Sequence, residues 1–353
     1  MNKPDKFTKN IILVFAGTFF GSFLNLLYQL IIAHRLSPID FASFNSLLAI
    51  FMMISAPIGT LQSAVAKYSS EFAARNEVKK TEVLLSCLLE KVFLLAVATF
   101  ILSYFILGLV INKLDIHSSV SVFILSLMLA ACWILPVFSG VMQGLELFKW
   151  LIFVAIAGGI LKLTLTFVFL NLGFNVSGAL AAFLLSISAM LLFAFIPLRK
   201  MVNFKIVNDC IKLNEVFIYL FPVMLSNFCY LNMVSFDMVL VKYFFSSESS
   251  GIYALSQMLG KIFLFLPGAI SIVLFPRVSY LNARNSDTSA TLKLSLVYGL
   301  ILSAIAILVY NLFPGFILKV LTGKAPIEAI ALGRIFSVSM SLFALLYIFI
   351  SYF

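Results

Sequence analysis

The sequence predicts an all-α polytopic membrane protein with about ten transmembrane helices. Three observations carry that prediction. The 353 residues are 63% hydrophobic and only 11% charged, with a mean hydropathy of +1.13, which lies outside the range of water-soluble domains of this length. Apolar stretches of about 20 residues, enough to cross a hydrocarbon core, recur from end to end. The basic residues are dense in alternate connections and sparse in the others, as oriented membrane helices require.

Taken in order, the apolar runs are expected as helices at about 11–33, 42–66, 83–111, 118–145, 150–172, 176–198, 215–241, 251–276, 291–313 and 329–353. The polar start MNKPDKFTKN leads straight into the first run. That run is too long for a signal-peptide core and lacks a small-residue cleavage site, so it is expected to remain as a membrane helix. The most polar connections are KYSSEFAARNEVKKTE (67–82) and RKMVNFKIVNDCIKLN (199–214), and no soluble domain is inserted. Pro57, Pro136, Pro222 and Pro267 lie within or near the ends of helices and are hinge candidates. The last run stops at Phe353 without a polar tail, the pattern expected of a fragment or an early stop.

Charge sets the orientation. Lys3, Lys6, Lys9, Lys67, Arg75, Lys79, Lys80, Lys149, Arg199, Lys200, Lys205, Lys212, Arg277, Arg284 and Lys293 fall on one side, fifteen in all. Arg35, Lys113, Lys242, Lys319 and Lys324 make five on the other. This bias over short loops places the amino terminus and the even-numbered connections in the cytoplasm, in a multi-pass cytoplasmic (inner) cell membrane. The net charge of +10 thereby records topology, and no nucleic-acid partner is needed to explain it. Cys87, Cys132, Cys210 and Cys229 form no CxxC pair, so neither a metal nor a disulfide role is expected; Cys87, Cys132 and Cys229 read as small buried hydrophobes. His34 and His117 have no second ligand at metal spacing. There is no Ser-His-Asp arrangement, no paired carboxylate set inside the membrane and no GxxxxGK[ST] loop. The chain is therefore expected to be neither an enzyme nor an ATPase, and no cofactor is expected.

A repeat runs through these elements. Ser37–Phe72 (SPIDFASFNSLLAIFMMISAPIGTLQSAVAKYSSEF) aligns without a gap on Ser246–Leu281 (SSESSGIYALSQMLGKIFLFLPGAISIVLFPRVSYL). Phe44 then meets Tyr253, Gly59 meets Gly268 and Ser70 meets Ser279. The first two helices and the seventh and eighth share direction as well as pattern. The expected organisation is a six-helix amino-terminal half (1–198), a cytoplasmic linker (199–214) and an incomplete four-helix second half (215–353). Transporters built from such halves hold their substrate between them.

The stretch FDMVLVKYFFSSESSGIYALSQMLGKIFLFLPGAISIVLFPRVS (236–279) resembles the start of the second half in polysaccharide-export flippases of the multidrug/oligosaccharidyl-lipid/polysaccharide (MOP) exporter superfamily. RLSPIDFASFNSLLAI with the later AVAKYSSEFA is similar to the first-half counterpart, and VMQGLELFKW resembles the end of the fourth helix. The resemblance implies a two-halved, MOP-exporter-like bundle of usually twelve or fourteen helices, so ten implies that two to four are absent. It also implies movement of an undecaprenyl-pyrophosphate-linked oligosaccharide or polysaccharide precursor between leaflets by alternating access. The near alternative is a cation-coupled drug exporter of the same superfamily, expected to carry acidic cavity residues. The alternative of another class is an integral membrane glycan polymerase or ligase, which needs larger outer loops than these.

The candidate site residues are polar side chains in apolar runs. Lys162, in GGILKLTLTFVFLNLG, sits about 15–18 Å from either interface, beyond the reach of snorkelling. It is expected either to pair with an acid such as Asp237 or to meet the substrate pyrophosphate in a cavity. Lys261 follows Gln257 by one turn, and Asn25 and Gln29 form a second stripe. Both stripes are candidate cavity linings, with helix–helix hydrogen bonding as the plainer role. Asp237 is a candidate counter-ion, or a coupling-ion site for H+ or Na+. Arg35, Lys67 and Arg277 lie near interfaces and are expected to meet the anionic headgroups of membrane lipids.

Overall fold

The structure is a computed structural model that describes residues 6–111, 113, 116, 118–202, 213–282 and 287–352. Twelve helices are present among them: α1 Lys6–Arg35, α2 Pro38–Ala74, α3 Val78–Val110, α4 Ser119–Ala131, α5 Leu135–Gly144, α6 Phe148–Asn171, α7 Asn175–Leu198, α8 Leu213–Phe244, α9 Ser247–Asn282, α10 Ser289–Leu312, α11 Pro314–Thr322 and α12 Ile327–Tyr352. Nine spans among the described residues are long and apolar enough to cross a membrane, with α4 and α5 counted as one.

Several helices overrun their apolar runs. α2 continues through KYSSEFAA to Ala74, because polarity marks the membrane edge rather than the end of a hydrogen-bonded helix. It ends where Asn76 adopts a left-handed conformation (φ 56°). There the Glu77 N–H donates to Phe72 O and the Asn76 N–H to Ala73 O, closing the last carbonyls.

The run expected at 118–145 is broken. Trp133 N–H donates to Ala130 O and Ile134 N–H to Ala131 O, a local tightening from i−4 to i−3 bonds just before Pro136, which has no N–H to give. Of the hinge candidates, this is the one where the helix parts. α2, α8 and α9 stay helical through Pro57, Pro222 and Pro267.

The chain forms two compact units, Met1–Arg35 with Ser43–Tyr243, and Leu36–Ala42 with Phe244–Phe353. In the first, Leu61 and Val65 of α2, Leu84, Leu85 and Leu88 of α3, Val137 and Val141 of α5 and Leu198 of α7 share one apolar core. α5 meets α2 at backbone range. A Cβ on Gly140 would lie 2.7 Å from Gln62 O, and one on Gly144 would lie 2.7 Å from Ala66 O. Gly140 and Gly144 form the small-xxx-small pattern that lets membrane helices approach this closely.

In the second unit, α9 packs along α12, with Ser256 Oγ donating to Ala329 O at 3.0 Å. The turn at the start of α2 also belongs to this unit: a Cβ on Gly251 would lie 2.7 Å from Pro38 O, and Lys324 Nζ donates to Leu36 O at 2.7 Å. Burial lowers the pKa of Lys324 from its ordinary range.

Cys132 and Cys229 are free thiols. Cys87 is buried and disulfide-bonded, contrary to the sequence expectation. Spacing along the chain says nothing about which thiols the fold brings together.

Candidate functional site

Lys162 lies in the middle of α6, where two neighbouring helices come unusually close. Gly158 and Gly159, one turn earlier, permit this. A Cβ on Gly158 would collide with Met190 Cγ of α7, and one on Gly159 would stand 2.7 Å from Leu24 Cδ1 of α1. Ser186 Oγ of α7 donates to Gly158 O at 2.7 Å. Three helices are thus drawn together directly below the lysine, whose side chain is only 6% exposed.

The ammonium of Lys162 donates to Asn25 Oδ1 of α1. It lies 4.5 Å from the centre of the Tyr28 ring and 4.5 Å from that of Phe183 on α7. Both rings are themselves braced. The Tyr28 hydroxyl donates to Ala179 O at 3.0 Å; Phe44 stands edge-on to Tyr28 at 6.0 Å, and Phe51 to Phe183 at 5.3 Å. Thr166 Oγ1 donates to Lys162 O at 2.6 Å, so the hydroxyl that follows one turn later is turned to the backbone.

The energies balance. An ammonium inside the membrane costs about 2.5–3.5 kcal/mol on the insertion scale. Two desolvated ring faces contribute about 0.5–2 kcal/mol each, and a charge-assisted hydrogen bond about 1.5–3 kcal/mol. The lysine is therefore held without a counter-ion among the described residues. No carboxylate lies within ion-pair distance of it among the described residues, and Asp237 is not its partner. Rings and an amide carry no formal charge, so the site keeps a positive potential in a low-dielectric setting.

Of the sequence candidates, Asn25 and Lys162 are brought together. Asn25 itself is exposed, so the buried ammonium connects to an open face of α1. Gln29, one turn on, has its Oε1 buried and without a hydrogen-bond partner among the described residues. Asp237 is half-buried on α8, where its Oδ1 accepts from the Met238 N–H at 2.9 Å. In the second unit Gln257 is fully buried and Lys261 half-buried, both on α9. Arg35 ends α1 over the Phe167 ring at 5.4 Å, and Lys67 is exposed on α2 over Tyr68 at 5.9 Å. Arg277 is on α9, with its side chain outside the described set; His117 lies outside it altogether.

Sequence reasoning missed Tyr28 and Phe183. Tyr28 had a signal, since it follows Asn25 by three residues on the same helical face. Phe183, one of 38 phenylalanines, had none.

Comparison with known proteins adds the family and the fold. Residues 7–282 match the family described as polysaccharide biosynthesis protein. No curated protein matches the chain. Among solved structures, the inward-facing form of a multidrug resistance MATE family transporter of the MOP superfamily aligns with a TM-score of 0.72 at 14% identity, covering 94% of this chain and 84% of that one. The MATE multidrug transporter DinF-BH, solved as a complex, gives 0.67 at 18% identity, with coverage of 92% and 76%. A MOP superfamily transporter from Pyrococcus furiosus, described as having a binding pocket of reverse polarity, gives 0.63 at 15% identity, with coverage of 98% and 85%. Identities this low establish the fold, which is that of MOP-superfamily transporters. The match over most of its length adds the family: the chain belongs to the polysaccharide biosynthesis protein family.

Proposed function

We propose that the protein is a secondary transporter that moves a lipid-linked oligosaccharide or polysaccharide precursor across the cytoplasmic membrane by alternating access. The observation that carries this reading is Lys162, a buried ammonium with two ring faces and one amide for company and no acid among the described residues. A cation so held attracts an anion, and the pyrophosphate of a polyprenyl-linked glycan supplies one while its hydrocarbon tail stays in the bilayer. Asn25 offers an exposed amide beside the ammonium, and the unpartnered Gln29 oxygen lies one turn further along α1. These three form the proposed headgroup contact. Asp237 is assigned to the coupling ion, H+ or Na+, and Arg35, Lys67 and Arg277 to lipid headgroups. The amino terminus is placed in the cytoplasm by the charge bias. The organisation into halves at 1–198 and 215–353, joined by 199–214, belongs to the same reading.

The test is transport in proteoliposomes containing a labelled, pyrophosphate-linked oligosaccharide lipid. Lys162→Ala is expected to slow movement about tenfold or more, as loss of a charge-assisted contact predicts, while inserting normally. Unchanged movement in Lys162→Ala at matched protein content would remove the cationic mechanism. Faster movement of an organic cation than of the glycan lipid would favour drug export.

A further inference from the structure

We propose that the second unit carries a binding site for an anionic phospholipid of the outer leaflet, with one hydrocarbon chain held in a cleft under α11. The cleft measures about 280 Å³ and is lined by Leu259 and Phe263 of α9, Leu302 and Ile305 of α10, and Ile317 and Leu321 of α11, among other carbon surfaces. Tyr310 also lines it, and its hydroxyl is committed elsewhere, to Ile330 O of α12 at 3.2 Å. The volume is several times the roughly 30 Å³ share of a water molecule, but a carbon-lined space gives water no partners and stays dry. Leu302 and Ile305 are exposed, so the cleft opens sideways. Leu302 sits ten residues before the end of α10 at Leu312, about 15 Å down the helix. That depth is about half a hydrocarbon core of roughly 30 Å, the reach of one leaflet's chain.

α11 has the form of a helix that lies in the interface. Pro314 opens it and Gly323, at φ 72°, closes it by donating its N–H to Lys319 O. At 100° per residue, Ile317 and Leu321 face the cleft, Leu318 and Thr322 are buried, and exposed Phe316 and Val320 turn to one side. Lys319 is exposed on the opposite side from Ile317, as expected of an amphipathic helix with its polar edge to the headgroups.

Charge fixes the head. Arg334 is exposed on α12, seven residues after Ile327 and four after Ile330, whose carbonyl accepts from the hydroxyl of the Tyr310 that lines the cleft. It has no carboxylate within ion-pair distance among the described residues. A guanidinium about 10 Å along an apolar span extends its side chain toward the interface and takes a phosphate there. Tyr310 joins the two, since its ring lines the cleft and its hydroxyl reaches Ile330 O, one turn before Arg334 on α12.

The test is native mass spectrometry of the full chain in mild detergent, titrated with phosphatidylglycerol or phosphatidylcholine of matched chains. Phosphatidylglycerol is expected to be retained in preference. In Arg334→Gln that preference is expected to fall about fivefold, the worth of one basic residue near a membrane surface. Ala306→Trp, which fills the cleft, is expected to lose both lipids. Arg334 is exposed, so its variant keeps the unfolding temperature and remains decisive if Ala306→Trp does not fold. Equal retention of the two lipids by the native chain, or full preference in Arg334→Gln, overturns the proposal. Displacement of phosphatidylglycerol by an equal amount of a polyprenyl phosphate also overturns it, and assigns the cleft to an isoprenoid carrier.

Discussion

Lys162 carries its charge between two aromatic faces, and the surrounding residues explain which changes it tolerates. Tyr28→Phe keeps the ring beneath the ammonium and removes only the hydroxyl that donates to Ala179 O. It is expected to lower stability by about 1 kcal/mol, read from thermal unfolding in detergent, with glycan-lipid movement retained. Phe183→Leu removes one of the two ring faces. It is expected to cost about 0.5–2 kcal/mol from the lost cation contact, and that cost should vanish when Lys162→Met is already present. Independent costs in the double variant would show that the rings serve packing alone.

The same logic extends to whole elements, where backbone contacts decide. Gly144 of α5 faces α2 so closely that a Cβ would stand 2.6 Å from Ser69 Cβ. Gly144→Val is therefore expected to destabilise the first unit by about 1–3 kcal/mol through overpacking, measured as a drop in unfolding temperature.

At the start of α10, Asp287 accepts from the Ser289 N–H and hydroxyl. Those bonds, with the nearby Lys293 charge, hold its carboxyl below the usual carboxylate range. A depressed folded pKa contributes stability above the unfolded value, which is lost as pH falls through the folded one. Proteolysis at Lys293 is thus expected to quicken on acidification in the native chain. In Asp287→Asn it should be fast already at neutral pH, and equal rates at neutral pH would show that the turn needs no carboxylate.

Across the whole molecule, the repeat is visible as two matching pairs of helices. α1 ends at Arg35 and α2 begins at Pro38; α8 ends at Phe244 and α9 begins at Ser247, each limit shifted by 209 residues. The caps match as well. Ser37 Oγ accepts from the Asp40 N–H at 3.1 Å, and Ser246 Oγ accepts from the Ser249 N–H at 3.3 Å, again at the same shift. The orientation rests on charge: a single cysteine at Asn76 is expected to react only from the cytoplasmic side, and one at Ser249 only from outside. Labelling of Asn76 in intact cells by an impermeant reagent would reverse the topology.

The sequence by itself determined the helical class, the order of the apolar spans and the register of the repeat. Each depends on the local rule that apolar length and spaced caps specify a membrane helix. It also marked Asn25 and Lys162, because a polar group in an apolar run stands out without any knowledge of its neighbours. The tertiary structure decided what those groups touch. Tyr28 and Phe183, rather than Asp237, meet the ammonium because Gly158 and Gly159 let α1 and α7 close on α6. That choice depends on which faces of three distant segments pack together, and no periodicity within one segment encodes it.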